Sequence, residues 1–253
     1  MYEIPKIIHY CWFGKGEKSP LILRCMASWK KFFPDYEIRE WNEDNFDITQ
    51  NSYIQEAYSC KKWAFVSDFV RLVAVYEYGG IYFDTDVEVI KNFEHILQAG
   101  GYLGFENATN EKNKKKVATG LGFAAHKGDK IILAMLNDYK NINFLNKGKM
   151  DLIPCPERNT NVLNKMGLKT DGSLQRLGDI TIYPFEYFCG FDLANSHPLI
   201  TKNTYTIHHY TASWCDKMSW RLRFKYGVVV KLLQKILGYE LYDKIKLKTK
   251  NRE

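Results

Sequence analysis

Apolar residues recur at helical spacing along one stretch of the chain, from Trp63 to Tyr78. This pattern predicts a helix with an apolar stripe formed by Trp63, Val66, Val70, Val73 and Ala74. Gly79 and Gly80 follow, and they predict its end because glycine adopts left-handed backbone conformations without a steric penalty. The next residues, 81–83, are all apolar, which is typical of a short strand buried on both faces.

The remaining apolar and polar positions predict an alternation of strands and helices. Strands are predicted at 4–14, 36–41, 87–90, 102–106, 180–183 and 205–209. Helices are predicted at 19–33, 55–58, 91–98, 129–140 and within 151–170. This order favours an α/β fold with a mostly parallel sheet flanked by helices, whose ligands bind at the carboxyl ends of the strands.

Two aspartates follow the buried strand at 81–83. Asp84 and Asp86 are two residues apart, so in extended backbone their side chains lie on the same face, about 7 Å apart. They could therefore share a divalent cation with another anion, although a solvated pair of turn carboxylates is the simpler alternative. Trp12 follows the first predicted strand, so we expect it at the same edge of the sheet.

Composition narrows the class of protein further. The chain has 253 residues, of which 45% are hydrophobic, so it can bury a large core. It shows no run of about 20 apolar residues and no signal peptide, and its six cysteines form no C-x-x-C pair. We therefore expect a cytoplasmic protein with reduced cysteines.

The net positive charge of the chain comes from its last residues. Residues 217–253 hold eleven Lys or Arg and three Asp or Glu, so this tail carries +8, while the net charge of the whole chain is +7. A nucleic-acid partner is therefore not expected for the body of the protein. We predict a catalytic domain over 1–216 and a basic amphipathic helical extension over 217–253. The extension either docks on an anionic membrane surface or packs on the domain.

Three separated motifs carry a resemblance to a known family. They are I-P-K-I-I-H-Y-C-W-F-G at 4–14, S-D-F-V-R followed by Y-G-G-I-Y-F-D-T-D between 67 and 86, and I-H-H-Y-T-A-S-W at 207–214. The chain resembles the capsule-type members of glycosyltransferase family 32, which are similar to the clostridial glucosylating toxins and the yeast Golgi α-1,6-mannosyltransferases. The resemblance implies a GT-A type, Rossmann-like fold, a nucleotide-sugar donor, Mn²⁺ or Mg²⁺, and retention of anomeric configuration.

The resemblance also implies roles for individual residues. Asp86 would bind the metal directly, and Asp84 would contact the donor, or the metal through water. Asp68 and Arg71 would contact the donor sugar, although their spacing alone would fit an ion pair on the helix surface. Trp12 would stack on the nucleobase. Tyr82 is left open between a donor contact and a core position.

The third motif offers further candidates. His208 and His209 are adjacent on a predicted strand, so they point to opposite faces and only one can face the metal. The sequence does not fix the parity of the strand, and we choose His209. Ser213 and Trp214 are candidates for contact with the metal or the β-phosphate. Glu106 and Asp192 are candidate supporting carboxylates near the acceptor.

The favoured function is a metal-dependent retaining glycosyltransferase of surface polysaccharide synthesis. It would move a hexose from a UDP-sugar, or from GDP-mannose, to a glycan or lipid-linked oligosaccharide. A glycosyltransferase acting on a protein and a metal-dependent sugar nucleotidyltransferase are alternatives, and Gly14-Lys15-Gly16 is a weak match to the phosphate loop of the latter. A nucleotide-sugar-binding protein without transfer activity is a third.

Overall fold

The computed structural model describes residues 3–109, 114–192 and 197–211. Its helices are α1 (Pro20–Phe32), α2 (Ser52–Ser59), α3 (Trp63–Tyr78), α4 (Glu94–Ala99), α5 (Lys130–Asn137), α6 (Cys155–Lys165) and α7 (Phe185–Phe188). Its strands are β1 (Ile7–Cys11), β2 (Glu37–Trp41), β3 (Gly80–Tyr82), β4 (Val87–Val89), β5 (Gly101–Thr109), β6 (Lys115–Val117), β7 (Phe123–Ala125), β8 (Leu145–Asn146), β9 (Lys149–Met150), β10 (Gln175–Leu177), β11 (Ile180–Tyr183), β12 (Phe191–Asp192), β13 (His197–Pro198) and β14 (Thr206–His208).

The central sheet is mixed but mostly parallel. Its strand order is β10-β11-β5-β7-β3-β1-β2, and β6 pairs with β5 beside this path. The strands β2, β1, β3, β5 and β11 run in one direction, whereas β7 and the edge strand β10 run in the other. The predicted α/β class, a mostly parallel sheet flanked by helices, is confirmed.

We call the end of the sheet at which β1 and β3 terminate the functional edge. The reversed strand β7 determines which other residues lie there. The carboxyl ends of β1 and β3 meet at this edge. Because β7 is antiparallel to β3, its amino end lies at that same edge. The short 3₁₀ turn Thr119–Leu121 precedes β7, so it is brought beside the segment that follows β3. A smaller antiparallel pair, β14 with β4, also lies next to that segment.

Helix α3 has the predicted bounds, but it is buried on more sides than its apolar stripe indicated. Phe65, Phe69 and Leu72, which lie outside that stripe, are buried together with it. The helix ends at Gly79 with φ +69°, and Gly80 follows with φ +105°. A Cβ on Gly80 would lie 2.6 Å from the carbonyl oxygen of Ile7, so only glycine allows β3 to approach β1 this closely.

His9 is a core histidine, and both of its ring nitrogens have hydrogen-bond partners. Its Nε2 lies 2.8 Å from the carbonyl oxygen of Gly79, and its Nδ1 accepts a hydrogen bond from Trp41 Nε1 at 3.1 Å. Burial is the main cause that lowers the pKa of His9 to about 4. The imidazole is therefore neutral at pH 7 and links α3, β1 and β2.

Other expectations concern cysteines, membrane spans and the tail. The cysteines of the described residues are free: Cys11, Cys25, Cys60, Cys155 and Cys189. Within the described ranges, none of the helices combines the length and the hydropathy that crossing a bilayer requires. The predicted extension 217–253 lies outside the described residues, so the division into 1–216 and 217–253 stays a prediction.

Candidate metal centre and donor site

Two carboxylates and one imidazole converge at the functional edge of the sheet. Asp84 follows β3, Asp86 precedes β4, and His208 ends β14, where it pairs with Val87 of β4. One ligand atom from each of Asp84, Asp86 and His208 lies within 4.8 Å of the others, and we name these residues the Asp-Asp-His cluster. The antiparallel pairing of β14 with β4 therefore brings residues that are more than a hundred positions apart into one site.

The turn after β14 encloses Asp86. The Thr211 backbone N–H and hydroxyl both donate to Asp86 Oδ2, at 2.9 and 2.8 Å, and the His209 N–H donates to the Asp86 carbonyl oxygen at 3.0 Å. His208 Nε2 lies 3.3 Å from Asp86 Oδ1. Burial opposes the charged form of Asp86, but the charge of His208 and the Thr211 hydrogen bonds outweigh it and lower the pKa of the carboxyl. Asp86 is thus held as a carboxylate.

The histidine that faces the aspartates is His208, and the choice of His209 was wrong. His209 Nε2 instead lies 2.8 Å from Glu88 Oε2, on the opposite side of the strand. The Tyr210 N–H donates to His208 Nδ1 at 3.2 Å and fixes the ring so that Nε2 points to the cluster. Burial favours the neutral ring, but Asp86 and Asp84 outweigh it and raise the pKa of His208.

The two carboxylate oxygens of Asp84 have different partners. Its Oδ1 accepts a hydrogen bond from the Tyr82 hydroxyl at 2.9 Å and lies 3.0 Å from Arg71 Nη2. Its Oδ2 lies 3.8 Å from His208 Nε2. It also borders Gly120, where a Cβ would lie only 2.6 Å from Oδ2. Asp84 Oδ1 is therefore held by core residues, and Asp84 Oδ2 faces His208.

Asp68 and Arg71 form a buried ion pair, so a helix-surface pair is excluded. Asp68 is 9% exposed and Arg71 is 3% exposed, and Arg71 Nη2 lies 2.9 Å from Asp68 Oδ1. Burial is the main cause that raises the pKa of Asp68 to about 6, although the charge of Arg71 works in the opposite direction. Charges taken out of water in this way persist only where partners compensate them.

Trp12 and Tyr82 occupy different environments. Trp12 is half-buried at the end of β1, and its Nε1 donates to the carbonyl oxygen of Gly16 at 2.8 Å. Lys18 Nζ lies 5.2 Å from the centre of the Trp12 ring. Stacking of a base on Trp12 stays a prediction. Tyr82 is 1% exposed, so it is a core residue that reaches the site only through its hydroxyl on Asp84.

Glu106, at the same edge of the sheet on β5, is also buried, and burial raises its pKa to about 7. The side chain of Asp192 and the whole of Ser213 and Trp214 lie outside the described residues. Their predicted roles stay predictions. The last described residue, Thr211, is bound to Asp86.

Several residues at the site gave no signal in the sequence. They come from distant parts of the chain and contact Arg71, Asp84 or Asp86: Thr119, Gly120, Cys155 and Thr211. Asn159 supports them, since its Nδ2 donates to Thr119 Oγ1 at 3.0 Å. Only the resemblance of the third motif pointed near one of them, Thr211.

The side chains of the Asp-Asp-His cluster fit a divalent cation. Mg²⁺ and Mn²⁺ prefer carboxylate oxygens, and imidazole is a further ligand suited to transition metals. The anchored oxygens, Asp84 Oδ1 and Asp86 Oδ2, are occupied by donors from the protein, which leaves Asp84 Oδ2, Asp86 Oδ1 and His208 Nε2 facing one another. Hydrogen bonds that orient metal ligands in this way are typical of metal sites.

Residues 20–101 match the family model of the glycosyltransferase sugar-binding region containing a DXD motif. The matched stretch runs from α1 to the start of β5 and includes Asp84 and Asp86. The resemblance to a DXD glycosyltransferase is therefore confirmed. Within this matched stretch, the D-x-D motif contributes two of the three members of the Asp-Asp-His cluster.

The chain is also similar to solved structures of glycosyltransferases. The chain is similar to the glycosyltransferase PaToxG, with 19% identity and a TM-score of 0.49 over 65% of this chain and 70% of that chain. It is also similar to a glycosyltransferase involved in the glycosylation of the major capsid of PBCV-1. That similarity has 10% identity and a TM-score of 0.46 over 82% of this chain and 95% of that chain. No curated protein matches the chain.

Proposed function

We propose that the protein is a metal-dependent glycosyltransferase that transfers a hexose from a nucleotide-diphosphate sugar to a glycan acceptor. The observation that carries this proposal is the Asp-Asp-His cluster at the D-x-D motif of the sugar-binding region. A nucleoside diphosphate is a poor leaving group until its developing negative charge is neutralised. A cluster of two carboxylates and one imidazole offers the ligands for a cation that does this.

Some residues of the site would bind that cation, and others orient the residues that bind it. Asp86 and His208 would bind it, with Asp84 Oδ2 as the third ligand. Bound Mn²⁺ or Mg²⁺ would act as a Lewis acid on the diphosphate. Thr211 holds Asp86 through two hydrogen bonds, and Tyr210 orients His208. Asp86 and His208 are both only 8% exposed, which excludes bulk water and strengthens every charge interaction at the site.

The rest of the donor site is proposed from placement and resemblance together. Trp12 is half-buried at the end of β1, where a base could stack on its exposed face. Asp68 and Asp84 both contact Arg71 Nη2, and Asp68 would contact a sugar hydroxyl. Ser213 and Trp214 follow Thr211 closely in the sequence, which supports a role for them at the diphosphate. We favour a UDP-hexose as donor, with GDP-mannose as a second choice.

The stereochemical outcome and the class of acceptor are proposed from the family resemblance. We infer retention of anomeric configuration and a glycan or lipid-linked oligosaccharide acceptor in surface polysaccharide synthesis. A protein acceptor is the alternative. The +8 charge of residues 217–253 would suit peripheral docking on the anionic cytoplasmic face of a membrane.

One observation argues against a sugar nucleotidyltransferase. Such an enzyme needs a glycine-rich loop whose N–H groups bind phosphate. The Gly14 N–H instead donates to Glu43 Oε1 at 2.7 Å, and Lys15 Nζ lies 3.7 Å from Asp44 Oδ1. The Gly14 N–H and the Lys15 ammonium therefore already have carboxylate partners.

Donor hydrolysis tests the proposal. The protein is incubated with a panel of UDP- and GDP-sugars in the presence of Mn²⁺, and release of the nucleoside diphosphate is measured. We expect one donor to be hydrolysed, the rate to be lost with a chelator, and Asp86→Asn to lower it at least about 100-fold. Asp44→Asn is the control, because the side chain of Asp44 is 80% exposed. No hydrolysis of any donor, or a wild-type rate for Asp86→Asn, would contradict the proposal.

A further inference from the structure

The guanidinium of Arg71 has five partners inside the protein. Its Nε donates to the Ser67 carbonyl oxygen at 3.2 Å. Its Nη1 contacts Thr119 Oγ1 at 3.3 Å and Cys155 Sγ at 3.5 Å. Its Nη2 lies 2.9 Å from Asp68 Oδ1 and 3.0 Å from Asp84 Oδ1. The guanidinium therefore makes three hydrogen bonds and two ion pairs inside the protein.

The Arg71 side chain is also almost fully buried. Only 4% of the Arg71 side chain is exposed, and its guanidinium lies 5.0 Å from the centre of the buried Tyr82 ring. A buried charged group that loses a partner carries a large energetic cost, so these partners hold Arg71 in place.

What Arg71 does hold is one oxygen of Asp84. Asp84 Oδ1 lies between Arg71 Nη2 and the Tyr82 hydroxyl, at 3.0 and 2.9 Å. Two donors on one oxygen fix the rotation of the carboxylate, so its Oδ2 is directed at His208 and away from the core. Arg71 is fixed in turn by Thr119, which Asn159 supports.

We propose that Arg71 is a positioning residue that orients Asp84 for the metal, with Tyr82 as its partner. This inference rests on the proposed function of the Asp-Asp-His cluster as a cation site. It assigns to α3 the task of setting the position of a metal ligand.

Metal binding without nucleotide is the measurement that separates positioning from donor contact. Mn²⁺ alone is titrated against wild type, Arg71→Lys and Tyr82→Phe, and free Mn²⁺ is followed by electron paramagnetic resonance. Lysine keeps the charge of Arg71 but lacks the planar fork that reaches Asp68 and Asp84 together. Phenylalanine keeps the ring of Tyr82 and removes only the hydroxyl on Asp84.

Matched controls are available for both variants. Arg176→Lys makes the same exchange at a side chain that is 59% exposed. Tyr102→Phe removes a hydroxyl that is equally buried but that has no hydrogen-bond partner among the described residues. Thermal unfolding is measured for every variant, and Tyr82→Phe tests the inference even if Arg71→Lys does not fold.

Arg71→Lys is expected to weaken Mn²⁺ binding about 10- to 100-fold, and Tyr82→Phe about 10-fold, in the range seen for groups that orient metal ligands. Unchanged Mn²⁺ affinity in both variants would overturn the inference. A wild-type protein that binds no Mn²⁺ would instead refute the proposed function itself.

Discussion

Replacing Gly120 by alanine places a methyl group against the metal-facing oxygen of Asp84. The added Cβ would lie 2.6 Å from Asp84 Oδ2 and 3.6 Å from Arg71 Nη1. Cβ atoms in proteins do not approach other heavy atoms within 3.0 Å, so Asp84 must retreat by at least about 0.4 Å. The backbone of Gly120 lies outside the left-handed region, and alanine can therefore adopt it without strain.

Displacement of Asp84 changes the contacts of both of its carboxylate oxygens. Its Oδ1 is held at 2.9 and 3.0 Å by Tyr82 and Arg71, so the carboxylate cannot move without stretching these contacts. Its Oδ2 is displaced from the position that faces His208. We expect Gly120→Ala to weaken Mn²⁺ binding about 10- to 100-fold, which corresponds to about 1.4–2.8 kcal/mol.

The assay is a Mn²⁺ titration, followed by donor hydrolysis over a range of Mn²⁺ concentrations. Gly16→Ala is the control, since a Cβ at Gly16 meets no atom within 4 Å. High Mn²⁺ should restore part of the rate of Gly120→Ala, because the lost quantity is affinity. If Gly120→Ala binds Mn²⁺ as tightly as Gly16→Ala, the placement of Asp84 Oδ2 as a metal ligand is wrong.

Two further predictions concern histidines. His208→Asn should weaken Mn²⁺ binding at least about tenfold, whereas His209→Asn, which loses only its contact with Glu88, should bind like wild type in the same titration; equal effects would contradict the assignment. The unfolded state protonates His9 near pH 6.5 and the folded state only near pH 4, so the stability that His9 contributes falls as the pH falls through that window. Between pH 7.5 and 5, urea unfolding should show a loss of about 2 kcal/mol in wild type relative to His9→Gln, and parallel pH profiles would refute this.

The central part of the fold was predictable because its signals are local. The apolar period of α3, the glycines that end it and the apolar run of β3 all lie within about 20 consecutive residues, and the structure confirms each of them. The position of Asp84 and Asp86 at a strand end follows directly.

The residues that complete the site depend on pairing between distant segments. The choice between His208 and His209 depends on the register of β14 against β4, which places His208 opposite Val87. Two adjacent histidines carry no information about that register, because a shift of one residue exchanges the faces. The site residue Gly120 could not be predicted either, since the reversed direction of β7 is what brings it to Asp84.

The buried state of Arg71 had a similar origin. On a helix, its spacing from Asp68 fits an exposed ion pair as well as a buried one. The acceptors that allow its burial, Thr119 and Cys155, lie 48 and 84 residues further along the chain. Burial of a charged group is determined by such distant partners, which the local pattern of α3 does not contain.

Pulsed electron paramagnetic resonance of bound Mn²⁺ tests the central claim most directly. If the Asp-Asp-His cluster holds the cation, the Mn²⁺ signal should show a nitrogen coupling from His208 that is absent in His208→Asn and unchanged in His209→Asn. Addition of UDP should add a phosphorus coupling to the same signal, or GDP should do so if the donor is a GDP-sugar. A nitrogen coupling that survives His208→Asn, or bound Mn²⁺ that gains no phosphorus coupling with either nucleotide, would contradict the claim.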